Sequence, residues 1–138
     1  MNKTIKAALA GLVTSTAMLS AAYAEDIKVG ILLPYSGVYA ALGQDIDDAF
    51  ALGLETFGAD SGATFEIVRE DTEVKPPVGL AKTKKLILQD EVDVMVGVVS
   101  SGVLGAIRDT VDGAGVPLIV ANAGNDEATG EACSPFIT

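Results

Sequence analysis

Along most of the chain, short apolar runs alternate with stretches whose apolar residues recur at helical spacing. Ile27-Lys28-Val29-Gly30-Ile31-Leu32-Leu33 is almost continuously apolar and is closed by Pro34, as expected of a strand covered on both faces. A turn-rich loop follows to Gly43. From Gln44 the period changes: Ile46, Ala49, Phe50, Gly53, Leu54 and Phe57 fall on one face, with Asp48 and Glu55 opposite, which predicts an amphipathic helix. Residues 58–62 break it, and 63–69 read as a second strand. A loop over 71–78, with Pro76 and Pro77, leads into a helix from about Gly79 to Gln89, since proline is tolerated at a helix start. The spacing then predicts a third strand over 92–99. A third helix opens at Ser100-Ser101-Gly102, with Val103, Ala106, Ile107, Thr110 and Ala114 inward and Arg108, Asp109 and Asp112 outward. Gly113 and Gly115 stop it before a fourth strand, 116–120. Residues 122–135 are a polar loop, and 136–138 begin another strand. The order β-α-β-α-β-α-β predicts an α/β fold with right-handed crossovers and a doubly wound parallel sheet.

The first 24 residues follow a different pattern. Lys3 and Lys6 make a short positive start, residues 7–18 are uncharged and mostly apolar, and Ala22-Tyr23-Ala24 ends on small residues. These three parts in order predict a secretory signal cut after Ala24, which sends the rest out of the cytoplasm. The apolar stretch is shorter than the roughly 20 residues that span a bilayer.

Composition narrows the chemistry. The formal net charge of the whole chain is −10, and two of its nine basic residues lie in the signal, so residues 25–138 are more acidic still. Such a body repels phosphate backbones, against nucleic acid and anionic membrane surfaces as partners. The chain has no histidine, which removes Ser-His-Asp and Cys-His sites and imidazole-ligated zinc. Cys133 has no second cysteine to pair with; it is either a small half-buried residue or a thiol whose partner lies beyond residue 138. Asp45, Asp47 and Asp48 lack the glycine and distal glutamate of a calcium loop. No dinucleotide fingerprint or Walker lysine is present, so no cofactor or metal is expected. Leu33 and Pro34 stand where a phosphorelay receiver would carry acids. Glu70 and Asp71 have no evident partner and read as solvated.

Ligands of open α/β sheets bind beyond the carboxyl ends of the strands, here the loops 34–43, 71–78, 100–102 and 121–130. In Val99-Ser100-Ser101-Gly102, two hydroxyls stand where a strand hands over to a helix with unpaired N–H groups. That arrangement suits a carboxylate, and it equally suits a serine that caps the helix. Asn122-Ala123-Gly124-Asn125-Asp126 is the second candidate: small residues let a ligand approach the backbone and Asn125 offers a side-chain bond, though an ordinary polar turn has the same composition. Tyr35 and Tyr39 either line the pocket or pack the first loop down.

These residues carry a resemblance. The run Ile27 to Gly37 with Leu42-Gly43, Val94-Met95-Val96-Gly97 with Ser100-Ser101-Gly102, Gly115-Val116-Pro117-Leu118-Ile119, and Cys133-Ser134-Pro135-Phe136 together resemble the leucine/branched-chain amino-acid-binding family of transporter solute receptors. The likeness extends over 25–138. It implies a periplasmic, non-catalytic receptor that delivers a small amino acid or related carboxylate to a membrane ABC permease. It also implies that Ser101, with Ser100 beside it, and Ala123, Gly124 and Asn125 hold the ligand's carboxylate and amino group. Leu42 stands where leucine receptors have a pocket aromatic, and Asn125 where they have a threonine. The helix-flanking cysteine pair of some members is absent. The Tyr35/Tyr39 loop looks more similar to members that bind aromatic or other organic acids. Family members close two lobes on the solute about a hinge; 25–138 corresponds to the N-terminal lobe, incomplete and without the second. The alternative within binding is a receptor for aromatic or organic acids or amides; rival classes are a secreted α/β enzyme working through carboxylates and a signalling receptor ectodomain of the same fold.

Overall fold

The structure, a computed structural model, describes residues 25–138; the expected signal segment lies outside them. Four strands form one parallel sheet: β1 (Asp26–Leu33), β2 (Thr64–Asp71), β3 (Val94–Gly97) and β4 (Leu118–Val120), in the spatial order β2-β1-β3-β4. Residues 136–138 begin a further strand on the outer side of β4, with Ile137 bridged in parallel to Leu118. The helices are α1 (Ala40–Gly53), α2 (Pro76–Leu88), α3 (Ser101–Ala114) and the short α4 (Asp126–Thr129). The expected doubly wound α/β sheet is therefore present.

Alternation along β1 explains the two layers. Val29, Ile31 and Leu33 face one side, where Ile46 and Phe50 of α1 cover them. Leu32, with Met95 and Leu118 from the other strands, faces the opposite side and meets Leu86 of α2 and Val103, Leu104, Ile107 and Val111 of α3. The second layer is the better sealed: Ile107, Val111 and Leu86 are all fully buried, whereas the buried positions of α1 are Gly43 and Asp47.

Several boundaries differ from the expectation, each for a local reason. Residues 37–43 are helical rather than a loop. Gly37, at a φ of +78°, turns the chain into a 3-10 turn over Gly37–Tyr39, and Ala40-Ala41-Leu42, strong helix formers, begin α1. Phe57 was expected on the buried face and is 75% exposed. The chain winds as a π-helix over Leu54–Gly58, and the extra residue per turn carries Phe57 out of register with Ile46 and Phe50. Ala49 is exposed as well. Helix α2 starts three residues early, with Pro76 in its first turn. The inward stripe of α3 runs through Leu104 and Val111, and Ala114 is exposed. Arg108 is half-buried rather than outward: its Nε donates to the Ala132 carbonyl at 3.0 Å, while Asp112 accepts from Ser134 Oγ at 2.5 Å. Together they tie the segment before residue 136 to α3.

Candidate solute-binding site

In this strand order β1 leads outward to β2 and the chain then returns past it to β3, so the topological switch lies between β1 and β3. Their carboxyl ends are neighbours, Leu32 pairing with Gly97, and the loops that follow must diverge and leave a crevice. Helices α1, α2 and α3 all begin at this edge and point their positive ends toward it.

The β3 side of the crevice turns on two residues to which the sequence reading gave no role at the site. Gly97 has a φ of +135°, and a Cβ there would overlap the Leu32 carbonyl oxygen. Val98 follows with a φ of +65° and a fully buried side chain. Left-handed valine is a genuine outlier, held in place here by its surroundings. Its N–H donates to Leu32 O at 2.8 Å, and its carbonyl accepts from the N–H groups of Asn122 at 3.3 Å and Ala123 at 3.1 Å. The Gly97 carbonyl accepts from Ala121 N at 2.8 Å. One strained turn thus ends β3 two residues before the expected Val99, starts α3, and anchors the loop after β4. A glycine closing a strand was the visible signal; nothing in the sequence marks Val98.

Beyond this turn stand Ser100 and Ser101. Ser100 occupies the N-cap of α3 in extended conformation, its carbonyl accepting from Leu104 N at 3.0 Å, but its side chain makes no capping bond. Ser101, the first helical residue, is exposed. The opening N–H groups of α3 therefore keep their donor capacity, two hydroxyls stand beside them, and the site favours an anion.

The loop after β4 sits next to this turn through the Val98 bonds. Ala123 is half-buried and Gly124 exposed. Asn125 is committed locally: its Oδ1 accepts from Glu127 N at 2.9 Å and Ala128 N at 3.3 Å, capping α4. Ala123, Gly124 and Asn125 also line a small cleft of about 170 Å³ with Leu104, Val120 and Ile137; Ser100 and Ser101 lie outside it.

On the β1 side, Tyr39 and Leu42 are 44% and 36% exposed and form a lip. Tyr35 packs against the apolar layer beneath α1, and its hydroxyl is buried without a hydrogen-bond partner. Burial and the charge of nearby Asp47 push this phenol well above its ordinary range. Asp47 is itself buried, and Arg69 Nε bonds both its oxygens, at 2.8 and 3.1 Å.

Glu70 and Asp71, expected to be solvated, are both engaged. Glu70 is buried, with Lys82 Nζ at 2.6 Å and Lys85 Nζ at 2.9 Å. Burial pushes its carboxyl upward, but the two ammonium groups outweigh this and hold it below the usual range. Asp71 behaves alike: burial raises it, and hydrogen bonds from the Ser36 side chain and the Glu73, Tyr35 and Ser36 backbones lower it further. A depressed carboxyl contributes stability that is complete above its unfolded value near pH 4 and is lost as pH falls through the folded one. The thermal midpoint of residues 25–138 should therefore be flat above about pH 5 and fall below about pH 4; a midpoint unchanged down to pH 3 would contradict these pairings.

Helix N-termini, hydroxyls and small-residue backbone thus meet at one edge of the parallel sheet, and the described residues hold no cluster of potential metal ligands. The chain belongs to the periplasmic binding protein family, whose model matches residues 26–138, as the resemblance implied. It is 28% identical to Leu/Ile/Val-binding protein homolog 6 of Brucella abortus, over 96% of this chain and 34% of that protein. Among solved structures it is similar to a solute-binding protein of an ABC transporter from R. palustris in complex with benzoate, at 40% identity and a TM-score of 0.77, over 81% of this chain and 31% of that one. It is also similar to the branched-chain amino acid transporter substrate-binding protein of Streptococcus pneumoniae in complex with isoleucine, at 28% identity and a TM-score of 0.74, over 82% of this chain and 33% of that one. The chain spans about a third of the length of the relatives it matches, and it corresponds to their N-terminal part.

Proposed function

We propose that the complete protein captures a small carboxylate outside the cytoplasm and presents it to an ABC permease, without transforming it. The observation that carries this is the uncapped start of α3, where free N–H groups and the Ser100 and Ser101 hydroxyls meet at the switch point. In this reading Ser101 and the first turn of α3 hold the carboxylate. Ala123, Gly124 and Asn125 bound the far side with their backbone, and Tyr39 and Leu42 close over the body of the solute. Tyr35 supports the lip from below.

Two solute classes fit. Aromatic acids are supported by the 40% identity to a benzoate-bound relative and by an apolar lip of Tyr39 and Leu42. Branched-chain amino acids are supported by the likeness to Leu/Ile/Val-binding homologues and an isoleucine-bound structure. Both classes carry a carboxylate that the start of α3 would hold in this reading. In the complete protein Ser101→Ala should weaken binding of whichever acid is taken by a loss of about 1.5–3 kcal/mol, the worth of a charge-assisted hydrogen bond. Unchanged affinity in a calorimetric titration would remove Ser101 from the site. Recovery of altered ligand after incubation would favour the enzyme reading instead.

A further inference from the structure

We propose that Asp71 is a positioning residue of the solute crevice, acting through the β1–α1 loop rather than on the solute. Pro34, Tyr35 and Ser36 belong to no helix or strand, yet they lead directly to the lip that carries Tyr39 and Leu42. Asp71 is the last residue of β2 and stands in register with Leu33, the last residue of β1. From there its Oδ1 accepts from Tyr35 N at 2.9 Å and from Glu73 N at 2.8 Å. One carboxylate oxygen so fastens two turns, the one that opens toward α1 and the one that opens toward α2. The second turn is under strain, since Glu73 and Val74 both have positive φ, at 50° and 58°, and an unfastened turn of that kind relaxes.

The same loop is braced from beneath by other groups that stay clear of the lip. Thr72 N extends the ladder to Leu33 O at 3.0 Å. The Tyr35 ring lies on the apolar layer beneath α1, and Gly43 lets α1 rest directly on the Pro34 carbonyl. Within this set Asp71 is the side chain that bonds the loop's own backbone, so its removal frees the loop while the sheet and the packed α2–α3 layer persist. The inference rests on the proposal that a carboxylate solute binds at this edge.

The test uses the complete protein with Asp71→Ala and Asp71→Asn, and benzoate and isoleucine as probes. Titration well below the unfolding temperature should show affinity for the bound acid reduced about tenfold in Asp71→Ala, as befits a lost charge-assisted bond. Asp71→Asn keeps an acceptor oxygen and should fall between it and the parent. Chymotryptic cleavage after Tyr39, measured well below each variant's own thermal midpoint, should accelerate about tenfold in the alanine variant, and saturating ligand should slow it again. Wild-type affinity together with unchanged Tyr39 cleavage in Asp71→Ala would overturn the inference while leaving the carboxylate reading intact. Failure of the parent itself to bind any acid would remove that reading, and the cleavage rate at Tyr39 would then decide whether Asp71 fastens the loop. If the alanine variant does not fold, the asparagine variant carries the same comparison.

Discussion

Gly97→Ala should destabilise residues 25–138 by about 2–6 kcal/mol, from strain of about 1–3 kcal/mol at a positive-φ position and a similar amount for overpacking. The added Cβ meets backbone, the Leu32 carbonyl oxygen, rather than the yielding end of a side chain. Relief requires β1 and β3 to separate where Leu32 pairs with Gly97, and that movement also breaks the Val98 N–H bond to Leu32 O. Against a whole-domain stability of roughly 5–15 kcal/mol, such a loss leaves little reserve. Denaturant unfolding measures it directly. A midpoint shift worth under about 1 kcal/mol would mean that the β3 turn is less tightly held than its hydrogen bonds indicate.

Gly43→Ala should act on the other side of the crevice with a different signature. Gly43 lies within α1 and needs no unusual backbone angle, so no conformational strain enters. Alanine there would even favour the helix by about 1 kcal/mol. Its Cβ, however, would overlap the Pro34 carbonyl oxygen. Either α1 lifts from the end of β1 or the loop gives way, at a cost of about 1–3 kcal/mol. Because Ile46 and Phe50 cover their layer only partly, α1 can lift without opening the α2–α3 layer. The expected result is a folded protein, less stable by at most about 2 kcal/mol once the helix gain is set against the clash, with solute affinity reduced more than stability because Tyr39 and Leu42 move with the helix. Equal loss of stability in the two glycine variants would contradict the distinction.

The sheet, its parallel order and most core positions were legible from apolar runs and helical spacing, because burial on both faces leaves a strong mark on sequence. Ile31, Leu32, Met95 and Ile107 all lie where the periodicity places them. Errors gathered where backbone geometry, not burial, decides. The π-turn that exposes Phe57 and the left-handed Val98 have no compositional signature. The early start of α1 had one, in Ala40-Ala41-Leu42, but the apolar period alone does not register it. Polar contacts were the least visible. Glu70 and Asp71 read as isolated acids and Asp47 as one of three acids in a rejected calcium loop, since their partners Arg69, Lys82, Lys85 and Tyr35 N become neighbours only through strand pairing and crossover. The candidate site was legible as a set of loops at one sheet edge. Within it, the division of labour emerges from the fold: Tyr35 is turned beneath the lip, Asn125 caps α4, and Ser100 leaves the start of α3 open.

The central claim is that a carboxylate binds at the start of α3, and acid–amide pairs test it most directly. Calorimetric titration of the complete protein with benzoate against benzamide, and isoleucine against isoleucinamide, isolates the negative charge at nearly constant shape. The account predicts one-to-one binding of at least one acid, with its uncharged amide weaker by a factor of ten or more, the order of a charge-assisted bond. An amide bound as tightly as its acid would contradict it.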